Sequence, residues 1–259
     1  MDKIRRYFTL LFIGSVLFLS GFAYAQQGQP PTRQQPPQGF LYGVGVGINQ
    51  EIYRGYKRRT IPLPLIGYRG EKLSVYGPFV SYQLLQHADL TVSAKLAPRF
   101  AGFDESDSNV FAGMAKRKSS LDGGIGLQWR KQSWLVEAQV LHDLLGNSKG
   151  QESELSVAYG LRFGPVQLEP KLGISYSDSK LVDYYYGVRL NEATANRMPY
   201  SAKSAFNYNA GISLSTPVFF GGMTRLGIEH HWYDSTISNS PLTDRDTGVS
   251  AFLSWSKFF

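Results

Sequence analysis

The chain has 259 residues, 42% of them hydrophobic, with a formal net charge of +7 and a mean hydropathy of −0.22. That hydropathy excludes a bundle of membrane-spanning helices, and the absence of cysteine excludes disulfides and thiolate metal sites. Tyrosine and phenylalanine at 16 each and glycine at 27 suit a barrel with aromatic girdles, or a soluble all-β sandwich.

Residues 1–25 read as a secretory signal peptide. Lys3, Arg5 and Arg6 form the basic start, an apolar run covers residues 7–22, and Ala23-Tyr24-Ala25 is a small-residue cleavage site before Gln26. With Asp2, this segment carries a net +2, so about +5 remains on the mature chain, scattered rather than gathered into a block. The scatter argues against nucleic-acid binding and leaves attraction to anionic lipopolysaccharide open. Residues 26–39 are rich in Gln and Pro and lack aliphatics until the strands begin. They are expected to form a periplasmic leader without a core of its own.

From Phe40 onward, apolar and polar residues alternate with period two, so each run has one apolar and one polar face. Tyr42, Val44, Val46 and Ile48 alternate with glycines. Leu90, Val92, Ala94 and Leu96 alternate with Thr91, Ser93 and Lys95. Further runs follow around Leu121–Trp129, Trp134–Val140, Leu155–Phe163, Val166–Tyr176, Phe206–Leu214 and Leu226–Trp232. Each is about the length of a tilted membrane-crossing strand. No helical period is expected anywhere in the mature chain.

Tight connections at Gly70-Glu71, His87-Ala88, Lys131-Gln132 and Gly164-Pro165, with a longer one at residues 216–222, alternate with gaps at 54–58, 102–118, 146–150, 179–202 and 235–246. Short turns on one side and long loops on the other are the pattern of an outer-membrane barrel. The alternation closes if the chain also reverses near Gly77-Pro78. The expected fold is therefore an all-β, single-chain antiparallel transmembrane β-barrel over residues 40–259, with 12 strands and both ends periplasmic. Ten strands is the alternative, if the short stretch at residues 72–76 merges with the next.

The last strand alternates Val249, Ala251, Leu253 and Trp255 with Ser250, Ser254 and Ser256, and ends on Phe259. A barrel must pair its last strand with its first, because no open edge survives in lipid. Trp255 and Phe259 resemble the terminal signal by which barrels are recognised for insertion by the barrel assembly machinery.

Four stretches carry a family resemblance. The first is Gly43-Val44-Gly45-Val46-Gly47 with Tyr53-Arg54-Gly55, Pro62 and Tyr68-Arg69-Gly70. The second runs from Gly113-Met114-Ala115-Lys116-Arg117 to Leu121-Asp122-Gly123-Gly124. The third is Asp183-Tyr184-Tyr185-Tyr186-Gly187-Val188 with Glu192-Ala193 and Tyr200, and the fourth is the aromatic terminus. In these the chain resembles the family of MltA-interacting protein and outer-membrane protein V. The resemblance implies an outer-membrane protein without catalytic activity or cofactor. It also implies an envelope scaffold, in the namesake one between a murein hydrolase and a murein synthase, so murein-processing enzymes are the implied partners. Other members are porin-like or adhesive.

Functional candidates are few. The polar faces carry Lys95, Asp122, Arg130, Glu137, Glu154, Arg162, Glu169, Lys171, Arg225, Glu229 and His231. In a narrow barrel these either interlock and fill the lumen or line an ion-selective pore. His231 shares a face with Glu229 and Tyr233, but neither a nucleophile elbow nor a zinc-protease motif occurs, so no catalytic residue is expected. Asp104-Glu105-Ser106-Asp107 could hold a divalent ion but lacks a spaced ligand set, and no metal site is expected. Tyr184, Tyr185 and Tyr186 fall in the longest gap. Exposed aromatics there lack partners, so they are expected to plug the mouth, form a recognition surface or pack on the rim.

Overall fold

The computed structural model describes residues 38–259. The expected signal peptide and nearly all of the expected leader lie outside the described residues, and the first strand starts at Gly39, one residue earlier than expected.

Thirteen strand segments form one antiparallel sheet that closes on itself. They are β1 (Gly39–Gln50), β2 (Arg58–Arg69), β3 (Leu73–Tyr76), β4 (Phe79–His87), β5 (Leu90–Arg99), β6 (Ser120–Lys131), β7 (Trp134–Asp143), β8 (Gln151–Tyr159), β9 (Leu161–Phe163), β10 (Val166–Ser177), β11 (Ala205–Thr216), β12 (Met223–Trp232) and β13 (Thr247–Phe258). β8 and β9 are one crossing interrupted at Gly160, since both pair with β10. The barrel therefore has twelve strands. The ten-strand alternative fails at Gly77, where a positive φ of 58° turns the chain and separates β3 from β4.

Closure comes from β13, which pairs with both β12 and β1. Gly43 lies opposite Ser256, where a Cβ would sit 2.0 Å from the Trp255 carbonyl oxygen. A residue with a side chain at position 43 would wedge the closing ladder apart, so this glycine has a steric cause.

Outward residues form an apolar band. Val44 is 66% exposed, Ile66 76% and Leu172 61%, a surface that water would not tolerate over a whole barrel and lipid would. Aromatics ring the band at both ends. Phe40, Tyr68, Tyr42, Trp255 and Phe259 cluster at one end, and Tyr176 with Phe206 and Tyr208 with Trp232 at the other. The short turns lie at the first end, which is therefore periplasmic; Ala88 and Gln132 take positive φ there to make two-residue turns.

The expectation of no helix is overturned. The outer loops carry α1 (Ser179–Tyr186), α2 (Ser235–Ser238) and two 3-10 turns, Asn109–Phe111 and Leu190–Glu192. The Asp178 carboxylate accepts the Leu181 N–H at the start of α1, and Leu181, Val182 and Tyr185 are buried along one face. Eight residues give too few turns for a periodic signal, and the tertiary burial of that face makes the helix.

Candidate functional site

The lumen has two unlike walls. On the β5–β6–β7–β8–β10 side, inward residues form a lattice of charge and amide groups. The Arg99 guanidinium pairs with Asp122 at 2.6 Å and Glu152 at 2.8 Å. Lys95 Nζ donates to Gln139 Oε1 at 2.9 Å, Gln139 Nε2 donates to Glu154 Oε2 at 2.8 Å, and Lys171 Nζ lies 3.3 Å from the other Glu154 oxygen. Gln128 Nε2 donates to Glu137 at 2.8 Å. Opposite, on β13–β1–β2, the inward positions are glycines and the small polar Ser250, Ser254 and Ser256, with Asn49 and Arg59 near the outer end and Leu41, Ile61, Leu63, Leu65 and Phe252 as the apolar members.

Other residues singled out in the sequence stand apart from this lattice. Arg130 and Arg162 are exposed at the periplasmic rim. Glu169 and Glu229 line a lower cavity of about 210 Å³, which Lys171 of the lattice also borders. Arg225 stands over the Tyr76 ring at 6.0 Å. His231 Nε2 lies 2.9 Å from Ser250 Oγ, whereas its Nδ1 is 3.9 Å from Glu229, beyond a hydrogen bond. The strand backbone around the pair is committed to the ladders with β11 and β13.

The outer loops close over the mouth with a core of their own. Tyr53, Phe103, Phe111, Met114, Val188 and Leu242 form one buried cluster. Ile52, Val182, Ala202, Ala205 and Ile237 form a second, and Tyr186 and Tyr200 pack against both. Phe103 stacks on Phe111 at 3.9 Å, and Tyr53 stacks on Tyr186 at 5.4 Å.

The three tyrosines lie inside this cap. The Tyr53 hydroxyl donates to the Tyr185 carbonyl at 3.1 Å, the Tyr185 hydroxyl donates to the Lys118 carbonyl at 3.2 Å, and the Lys118 N–H donates to the Tyr184 hydroxyl at 2.8 Å. Burial pushes the Tyr53 and Tyr186 phenols well above the usual tyrosine range, so they are neutral packing groups.

An ion pair ties the cap together. Arg117 donates two hydrogen bonds to the Glu192 carboxylate, at 2.9 and 2.7 Å, and others to the Tyr184 and Ala115 carbonyls, both at 2.7 Å. Arg117 and Glu192 side chains are only 1% and 2% exposed. Burial pushes the Glu192 carboxyl up, but hydrogen bonds from Arg117 and from the Arg189 and Ala115 N–H groups outweigh it and hold the group at about 2. Arg197 braces the same corner through the Val110, Ala112 and Glu192 carbonyls. The acidic cluster instead makes an exposed contact, Asp104 to Lys116 at 3.0 Å.

Sequence reasoning missed Arg99, Gln139 and Glu152 in the lattice and the pairing of Arg117 with Glu192. Arg99 shares the parity of Lys95, so the alternation pointed to it. The cap pair had no such signal, because its partners lie 75 residues apart.

Near the closing strand, Trp255 Nε1 donates to the Phe219 carbonyl at 3.0 Å, the Phe259 N–H donates to the Phe40 carbonyl at 3.0 Å, and the Phe259 ring meets Tyr42 at 5.0 Å.

A closed twelve-stranded barrel with an apolar belt, two aromatic girdles and short inner turns is a transmembrane protein of the outer membrane. Residues 42–259 match the family model described as MltA-interacting protein MipA, and the chain belongs to that family. The putative outer membrane protein YiaT of Escherichia coli K12 is 30% identical over 80% of this chain and 88% of its own length. Outer membrane protein Omp26La of Vibrio anguillarum is 30% identical over 94% of each chain. The MltA-interacting protein of E. coli K12 is 24% identical over 81% of this chain and 86% of its own. Among solved structures, the NanC porin superposes with a TM-score of 0.45 at 8% identity, covering 84% of this chain and 99% of that one.

Proposed function

We propose that this protein is a non-catalytic envelope scaffold or interaction protein of the outer membrane. Its partners are murein-processing enzymes on the periplasmic side and lipid and lipopolysaccharide around the belt. The observation that carries the reading is the cap. Four outer loops share one packed roof over a lumen filled on one side by paired charges, an arrangement suited to holding a fixed shape rather than passing solute. The printed name of one relative, MltA-interacting protein, points to a murein enzyme as partner. Cleavage after Ala25 would leave residues 26–39 as a periplasmic leader, and Trp255 with Phe259 would present the assembly machinery with its signal.

The second reading, a small-solute porin, draws support from cavities of about 310 and 400 Å³ beneath the cap. An adhesive surface barrel would use the cap's outer face. Crosslinking in intact cells followed by mass spectrometry, together with planar-bilayer recording of the purified protein, separates the readings. Murein enzymes among the crosslinked partners and no stable conductance steps are expected. Stable steps without such partners would overturn the scaffold in favour of the porin.

A further inference from the structure

The barrel wall contains a seam. β2 pairs with β3 only through Gly67, Tyr68 and Arg69, so among the described residues 58–66 pair with β1 alone. On the far side, the last β5 residue paired to β4 is Leu96, and residues 97–99 pair only with β6. The β3–β4 hairpin turns back at Gly77 while β2 and β5 continue outward. Above the turn no ladder joins them among the described residues, and Arg59 of β2 bridges to the Gly102 carbonyl just past β5.

An unladdered edge exposes backbone donors and acceptors to hydrocarbon, which is costly. The sequence removes donors at this edge. The Pro64 carbonyl oxygen lies 3.3 Å from the Cβ position of Gly77, so the backbone polar side of Pro64 faces the hairpin and not β1. Pro62, two residues on, faces the same way. Across the seam Pro98 sits two residues above Leu96, and a proline within a ladder turns its donorless side outward. The seam is bounded below by Gly77-Pro78. Above, the Arg59 guanidinium reaches the Gly102 carbonyl while pairing with Glu51 at 2.6 Å.

Behind it lies the cavity of about 400 Å³, lined in part by Arg59, Ile61, Arg99, Phe100, Tyr186 and His231, a volume within the usual range for small-molecule sites. Here the two walls meet. Ile61 lines the cavity on the β2 side, and Arg99, held by Asp122 and Glu152, lines it on the polar side. The cavity presents the Arg59–Glu51 pair together with the Arg99 guanidinium, so opposite charges stand side by side. That pairing suits a zwitterion, because a lone anion would have to displace a carboxylate.

We propose that the β2–β5 seam is a lateral portal and that the cavity behind it binds a single-chain zwitterionic amphiphile of the lysophospholipid class. The head sits in the lumen, and the acyl chain runs out between Pro62, Pro64 and Pro98 into the bilayer.

The chain has no cysteine, so single thiols report cleanly. Ile61→Cys and Leu63→Cys place thiols behind the seam, and Ser213→Cys, inward on β11, is the reference. Each protein is placed in phosphatidylcholine vesicles, checked for heat-modifiability and reacted with a maleimide carried on an acyl chain. Both seam thiols are expected to label severalfold faster than the reference, and palmitoyl lysophosphatidylethanolamine in the vesicles is expected to slow them selectively. Native mass spectrometry of the unsubstituted protein, independent of any variant's folding, is expected to show one bound lysolipid. Labelling no faster than at Ser213→Cys overturns the portal. Fast labelling without protection, or no bound lysolipid, overturns the ligand.

Discussion

Replacing Arg117 by Met should open the cap and leave the barrel standing. Arg117 is buried with Glu192, and its guanidinium supplies two of the four hydrogen bonds that carboxylate receives. Without it, Glu192 keeps only the Ala115 and Arg189 N–H groups, and a charge remains in a dry site. Breaking a buried pair in this way costs about 3–5 kcal/mol. The Glu192 carboxyl points the same way: burial raises it, yet hydrogen bonds from Arg117 first and from the Arg189 and Ala115 N–H groups hold it at about 2. At about 1.4 kcal/mol per decade, the open population should rise roughly 100-fold or more.

The barrel ladders do not involve Arg117, so the loss should be confined to the loops. Limited trypsin digestion of the folded protein in detergent reads it, since cleavage tracks the open population when closing is fast. Cleavage in the outer loops should accelerate roughly in proportion, with heat-modifiability unchanged. The double variant Arg117→Met with Glu192→Leu should recover much of the loss, because no buried charge is left unpaired. Parental digestion of the single variant, or a double variant worse than the sum of the singles, would refute the pair's role.

Acid should loosen the same cap. Because the folded Glu192 carboxyl titrates below its unfolded value, its contribution is complete above pH 4.5 and is lost as pH falls toward about 2; hydrogen exchange of the loops across that window checks it, and Glu192→Gln should flatten the dependence. Replacing Tyr184, Tyr185 and Tyr186 together with Ser should leave heat-modifiability intact and raise loop proteolysis, since the Tyr184 and Tyr185 hydroxyls bond to Lys118 in another loop and the Tyr186 ring stacks on Tyr53, while the ladders involve none of the three. A barrel that fails to form would give these residues a role in the strands instead. Deleting Phe259 should lower outer-membrane levels more than secretion, because its N–H extends the closing ladder to Phe40; unchanged levels in fractionated cells would remove it from assembly.

The crossings were legible because lipid on one side and lumen on the other impose period two on every strand. Short turns against long gaps fixed the count, and even the doubtful β3 reveals itself through Gly77-Pro78. Parity also placed Lys95, Asp122 and Glu154 inward. Their partners were not legible, because register decides whether Lys95 meets Gln139 or another inward group. The cap was the least legible part. Tyr53, Phe103, Val188 and Leu242 come from four different loops, and nothing local tells an aromatic in a loop which distant aromatic it will meet. Nor did the prolines of β2 show their purpose until the strand beside them proved to be missing over that stretch.

The cap core joins Tyr53 and Leu242, and the Arg54 N–H donates to the Leu242 carbonyl at 2.9 Å. Almost the whole barrel lies between these residues in sequence, so the roof closes only after the final hairpin has crossed. Neighbouring hairpins can zip together through local contacts, whereas the closing ladder that pairs Leu41 with Phe258 and the roof must both wait for distant ones. Maturation therefore has a clock built into it, in which the hairpins form first and barrel closure and the roof come last. A pulse of protease during refolding is expected to find the outer loops open after the strands have already become resistant.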